Sequence, residues 1–158
     1  MSIPIADTID KVTPEWLTAV LQSAGVIAGE TVVSVSARAL GTGQMCDSFR
    51  LTLDFSSACP APKSLIVKLP SSDDNSRAAA KLVRAYEKEV RFYQQLAGRV
   101  HVSTPQVYWA DIADDLITFV LLMADLAPAM QGDQMNGCTV GEAGDAMDQM
   151  VALHAPLW

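Results

Sequence analysis

Phe49, Leu51, Leu53 and Phe55 alternate with polar residues in 48-SFRLTLDF-55. This is the period of a strand with one covered face. The β-branched alternation of 31-TVVSVSARAL-40 predicts a strand before it. A short glycine loop joins the two, so they should form an antiparallel hairpin. A third strand is expected over 64-SLIVKLP-70, stopped by Pro70. Two more are expected over 105-PQVYWADI-112 and 116-LITFVLLM-123, turned by Asp114-Asp115.

Helices are predicted at three places. Thr13-Pro14-Glu15 reads as N-cap, first position and acidic first turn of a helix over residues 14–24, ending near Gly25. Ser76 is the expected N-cap of the longest helix, residues 77–98. Thr139 and Glu142 form a capping box for a last helix reaching His154. Residues 124–137 are rich in Pro, Gly and polar side chains and read as a linker. A small sheet with one helix against it is an α+β fold.

Two charges interrupt this pattern. Lys68 lies inside 65-LIVKL-69 and shares a strand face with Ile66. On a wheel centred on Tyr86, Leu82, Val83, Val90, Tyr93, Leu96 and Ala97 form an apolar stripe. Glu89 points with that stripe, at about −60°. Glu87 and Arg91 fall on the far side with Lys81, Arg84 and Lys88, where they can pair at i,i+4. A carboxylate on a covered face needs a cation. The geometry favours Lys68 as that cation; otherwise Lys68 snorkels at the strand end and Glu89 reaches water.

At 158 residues and half hydrophobic, the chain suits one domain with a real core. Its net charge of −7 argues against a nucleic-acid partner. Every Lys and Arg lies at or before Arg99, and only acids follow. That acidic part either faces a basic region outside these residues or attracts cationic ligands. Cys46, Cys59 and Cys138 lack metal-ligand spacing and suit a reducing compartment. The N-terminal residues lack a signal-peptide pattern, and the apolar run of residues 116–124 is too short to span a membrane. A cytoplasmic protein is expected.

The loop in 40-LGTGQMCDSFRLTLDF-55 begins a G-x-G pattern, but Cys46 stands where a third glycine would be, and no Gly-Lys-Ser/Thr follows. A dinucleotide fold fails on context, because the loop leads into a strand and not a helix. A glycine loop between two strands, a lysine on the third and a glutamate on the next helix resemble the nucleotide-binding half of protein kinases. Leu65-Ile66-Val67-Lys68 resembles the V-A-I-K strand. The stretches 41-GTGQMCDSFRL-51, 63-KSLIVKLP-70, 86-YEKEVRFYQQL-96, 119-FVLLMADLAPAMQGDQ-134 and 152-ALHAPLW-158 extend the likeness. Together they resemble the N-terminal part of the aminoglycoside phosphotransferase superfamily, in its ecdysteroid-kinase-like and acyl-CoA-dehydrogenase-associated branches.

That resemblance implies a protein-kinase-like N-lobe over residues 1–123, a five-stranded antiparallel sheet with one long helix. A hinge and linker would occupy residues 124–138, and residues 139–158 would begin a truncated C-lobe. Gly41, Gly43, Gln44 and Met45 would cover the ATP phosphates. Lys68 would contact the α- and β-phosphates, and Glu89 would hold Lys68. Met123 would lie beside adenine, with the backbone of Ala124 and Leu126 pairing to it. Asp133 would bind in the stretch after the hinge, where a plain loop turn explains it equally well.

The implied activity is transfer of the ATP γ-phosphate to a hydroxyl of a small-molecule acceptor, with Mg²⁺. The alternative is a non-catalytic nucleotide-binding or interaction module. The superfamily needs an H-x-D aspartate and a later metal aspartate. His101 precedes Val102-Ser103 and His154 precedes Ala155-Pro156, so neither histidine makes an H-x-D. No catalytic or metal residue is assigned, the metal ligands are expected outside these residues, and the chain alone should be inactive. The last helix carries Val140, Ala143, Met147, Met150, Val151 and Leu153 and ends at Leu157-Trp158. Without a covering lobe, that stripe should drive self-association or local disorder after Gly137.

Overall fold

The computed structural model describes residues 3–41, 45–130, 132–133 and 135–158. Strand β1 is Val32–Ala39, β2 Cys46–Phe55, β3 Ser64–Pro70, β4 Val107–Ile112 and β5 Phe119–Ala124. All pairings are antiparallel, and the sheet order is β1-β2-β3-β5-β4. The alternation read from the sequence sets the faces. Leu51 and Leu53 of β2, Leu65 and Val67 of β3, and Val120 and Leu122 of β5 share one fully buried cluster.

Helix α1, Pro14–Ser23, closes over that face with Leu17, Val20 and Leu21. Its N-cap is Thr13, whose hydroxyl accepts from the Trp16 N–H. Gly25 ends the turn after it at φ +68°, a conformation that glycine adopts without strain. The opposite face carries Ile66 of β3 with Phe119, Leu121 and Met123 of β5, packed against Tyr86 and Val90. A shift of one residue along β3 would exchange Lys68 for a buried leucine or valine, so the core pins the register.

The long helix expected over residues 77–98 is broken. Helix α2 is Asp74–Leu82 and α3 is Ala85–Arg91, with Arg84 between them at φ 54°. A π turn, Phe92–Leu96, and a 3₁₀ turn, Ala97–Arg99, follow α3. The break resets the helical phase. On one unbroken helix Leu82 would lie about 40° from Tyr86 and Ala80 about 120° away. Instead Ala80 is fully buried and Leu82 is 85% exposed. Ala80 packs in the cluster with Tyr86, Val90 and Phe119, and the left-handed turn at Arg84 separates the phase of α2 from that of α3. The N-cap is Asp73, not Ser76, and its carboxylate accepts from the Ser76 N–H at 2.7 Å.

Strand β5 starts later than expected. Asp115 accepts from the N–H groups of Ile117 and Thr118, both at 2.8 Å, and holds them in the turn. Leu116 takes φ 63° there. β4 starts after Pro105, and the Gln106 carbonyl takes the Ala124 N–H at 2.8 Å.

Helix α4, Val140–His154, has the predicted capping box between Thr139 and Glu142. Its Val140, Met147, Met150 and Val151 side chains are exposed. Among the described residues no helix is long and apolar enough to cross a membrane.

Candidate functional site

β3 lies in the middle of the sheet, between β2 and β5, and Lys68 pairs in register with Ser48 and Leu121. Its side chain rises on the face that α3 covers. Glu89 sits one turn past Tyr86 on α3, and its Oε1 receives a hydrogen bond from Lys68 Nζ at 2.5 Å. The two side chains are 24% and 30% exposed, so the pair stands at the edge of the core with access to water.

Electrostatics around Lys68 follow from that position. Burial is the largest influence on its ammonium and favours the neutral form, but the hydrogen bond and charge of Glu89 outweigh it. The net direction is up, and Lys68 stays charged. Burial raises the Cys46 thiol, and Lys68 partly offsets this. Burial also raises Tyr93, reinforced by Glu89. These three groups surround one fixed positive charge.

Gly41 follows β1 and Met45 precedes β2, at the two ends of the glycine loop. Gly41 has φ +32°, within the region that favours glycine. Gly43 and Gln44 lie outside the described residues. The Tyr86 hydroxyl donates to the Met45 carbonyl and accepts from the Ser71 N–H at 3.2 Å. Its ring stacks on Phe119, centroids 4.3 Å apart. One tyrosine therefore ties the loop exit, the end of β3 and α3 together.

At the end of β5 the chain turns through Ala124, Asp125 and Leu126. A cavity of about 230 Å³ opens here, lined by Leu40, Ile66, Met123, Ala124, Leu126 and Arg50 among others. That is below the roughly 300–1,000 Å³ usual for a whole small ligand. Lys68 lies two residues beyond Ile66, about 6.6 Å along the same strand face. Two larger cavities, of about 470 and 540 Å³, involve the N-terminal residues Asp7–Ile9 and Ile3–Ala6. Neither is lined by Lys68, Glu89 or the end of β5.

The structure thus brings Lys68, Glu89 and Met45 to one side of the sheet and gathers Met123, Ala124 and Leu126 around the adjoining cavity. The Ala124 N–H is engaged by the Gln106 carbonyl and is not free for a ligand. Asp133 spends its carboxylate on its own loop. Oδ1 accepts from the Met135 N–H at 2.9 Å, and Oδ2 from the Asn136 side chain. That geometry is a turn.

Two features escaped sequence reasoning. The Asp125 carboxylate is 7% exposed and is held from two strands. Ser64 donates to Oδ2 at 2.5 Å and Arg50 Nη2 to Oδ1 at 3.1 Å, while the Ala127 N–H donates to Oδ1 at 3.0 Å. Arg50 Nε is 2.7 Å from Oδ2 but off the line of a hydrogen bond, so it contributes charge without that bond. Burial raises the Asp125 carboxyl, and the Ser64 and Arg50 bonds overcome it, holding it below the usual aspartate range. The only local signal was an acid directly after an apolar strand.

The second feature is Glu87. Its side chain is 6% exposed, not solvated, because Arg84 and Arg91 fold over it. The expected pair with Arg91 forms at 2.8 Å, and Arg84 adds two more bonds. Hydrogen bonding by Arg84, then Arg91, lowers its carboxyl. The left-handed turn at Arg84 supplies the extra guanidinium. Among the described residues no group of three or more His, Cys, Asp or Glu could hold a metal ion. Comparison with protein-family models yields no match, and comparison with curated proteins yields none.

Proposed function

We propose that the chain is a kinase-like N-lobe, the ATP-binding half of a small-molecule O-phosphotransferase. The observation that carries this reading is the Lys68–Glu89 bond between the central strand and α3, on the same sheet face as the cavity at the end of β5. A fixed ammonium at the edge of the core suits a polyphosphate. The cavity walled by Leu40, Ile66 and Met123 suits an apolar-faced ring such as adenine. Glycine backbone at Gly41 permits close approach of the loop to phosphates.

In this reading Lys68 binds and orients the α- and β-phosphates, and Glu89 keeps its ammonium in place. The Ala124 carbonyl and the Leu126 backbone orient the base, and Asp125 and Arg50 fix the turn that presents them. Tyr86 fixes the loop exit through the Met45 carbonyl. Mg²⁺ is assigned no ligand and no step, because the described residues bring no set of metal-binding side chains together. A second reading is a module that binds nucleotide without transferring phosphate; an H-x-D and a later metal aspartate downstream of these residues would separate the two.

Calorimetry with ATP tests both. Saturable binding that Lys68→Ala weakens about tenfold or more would support the nucleotide site, a charge-assisted bond being worth about 1.5–3 kcal/mol. Binding equal in the two proteins would overturn it. Acceptor-dependent ADP release from a longer protein that contains these residues would favour the enzyme; nucleotide binding without release there would favour the module.

A further inference from the structure

Tyr86 and Glu89 stand one turn apart on α3, while Lys68 of β3 and Ser71 just after it stand three residues apart. Two bonds join these stretches. Lys68 Nζ donates to Glu89 Oε1 at 2.5 Å, and the Ser71 N–H donates to the Tyr86 hydroxyl at 3.2 Å. They differ in setting. The charged pair is part-exposed. Tyr86 is buried, with its ring stacked on the buried Phe119 of β5.

The start of β2 is fastened at the same place. The Tyr86 hydroxyl donates to the Met45 carbonyl, and Asp47 Oδ2 accepts from the Ser72 N–H at 2.9 Å. α3 is only seven residues long and begins directly after the left-handed Arg84, so α2 does not splint it. Its seat on the sheet is set by what it buries, chiefly Tyr86 and Val90. Glu89 takes its position from that seat.

We propose that Tyr86 is a positioning residue for the Lys68 ammonium, acting through α3 and Glu89. This rests on the reading of Lys68 as the group that meets a polyphosphate. An ammonium has three donors and Glu89 accepts one of them, so Lys68 can hold Glu89 and a phosphate oxygen together. That geometry needs α3 in place, and the buried Tyr86 bond keeps it there while the exposed ammonium exchanges partners. A site group keeps its geometry when packing and hydrogen bonds behind it lock its support. The groups that act on the Lys68 charge are Glu89 of α3, Cys46 of β2 and Tyr93 of the π turn. The Tyr86 hydroxyl bonds backbone only, so its influence on Lys68 passes through where α3 holds Glu89.

Titration of the Lys68 side chain by NMR in the lysine-labelled chain tests this, with circular dichroism to check folding. Tyr86→Phe keeps the ring and its stack. The Lys68 midpoint should fall in Tyr86→Phe, in the direction of Glu89→Gln but less far, because burial is then less well opposed. In the double variant it should lie no lower than in Glu89→Gln alone. Calorimetry adds a second readout. Tyr86→Phe should weaken inorganic tripolyphosphate and ATP by the same factor, about threefold, and leave adenosine unchanged. An unchanged Lys68 midpoint in Tyr86→Phe overturns the positioning role, as does a double variant that shows the summed shift. Equal weakening of adenosine and ATP overturns it too, because a general loosening of the sheet would produce that. Wild-type protein that binds neither tripolyphosphate nor ATP overturns the nucleotide reading alone, and the titration still decides what positions Lys68.

Discussion

Arg50 of β2 and Asp125 at the end of β5 are paired at 2.7 Å across the strand that lies between them. Ser64 of that middle strand bonds the same carboxylate. The turn after β5 is thereby fastened to two strands, and the wall of the adjoining cavity is fastened with it.

Asp125→Ala should leave the Arg50 guanidinium without its partner and the Ser64 hydroxyl unbonded. Leaving such groups unsatisfied costs on the order of 1–3 kcal/mol, and urea melts at pH 7 measure it. The pH dependence has a definite sign. A carboxyl held below its usual value stabilises the fold above that value and loses this contribution as pH falls through the folded one. The gap between wild type and Asp125→Ala should therefore be flat above about pH 5 and close in acid. A gap that widens on acidification would contradict the assignment.

Tyr86→Phe keeps the stack on Phe119 and removes only the hydroxyl. The Ser71 N–H and the Met45 carbonyl then lose a shared partner. The expected loss is about 0.5–1.5 kcal/mol, with faster amide exchange at Ser71. Unchanged exchange at Ser71 would mean that the hydroxyl does not hold the end of β3.

Glu87→Gln probes the break between the helices. It removes a charge that two guanidiniums share, while Lys88→Gln on the neighbouring exposed position removes one that is in no ion pair among the described residues. The first should lower the thermal midpoint and the second should leave it unchanged. Equal midpoints for both would show that the Arg84–Glu87–Arg91 cluster contributes nothing to the position of α3.

The strands were legible because their signals are local. Alternation in β2 and the stop at Pro70 each need only a few neighbours, and the sheet adopts both. Lys68 and Glu89 are 21 residues apart, yet two local periodicities aimed them at one another. The helix break was not legible. Leu82 and Val83 fit the stripe of an unbroken helix, and only the sheet surface decides that Ala80 packs there instead. The Arg50–Asp125 pair spans 75 residues and was hidden in the polar face of β2, where an arginine reads as solvated. Long-range charge pairs leave no periodic trace in the chain.

The Lys68–Glu89 pair itself should show an asymmetric pattern of stability. Its exposure lies between that of a surface pair, worth about 0–1 kcal/mol, and that of a buried one, where removal of one partner costs about 3–5 kcal/mol. Solvent screening pulls it toward the lower figure. Glu89→Gln leaves the ammonium beside the Cys46 thiol and the Tyr93 ring without its anion, so a loss of about 1 kcal/mol is expected. Lys68→Met replaces the ammonium by an apolar chain on a face that already holds Ile66 and Leu121, and should be less costly. The double variant should then be no worse than Glu89→Gln alone. Because the folded state raises the Lys68 value, the pair's contribution is fully present below the ordinary lysine range and is lost as pH rises through the folded value. The difference between wild type and Glu89→Gln should be constant from pH 6 to 9 and shrink only above about pH 10. Denaturant midpoints at pH 7, 9 and 11 decide it. Equal stability of the two proteins at pH 7, or a gap that has already closed at pH 9, would mean that the charged pair does not hold β3 to α3.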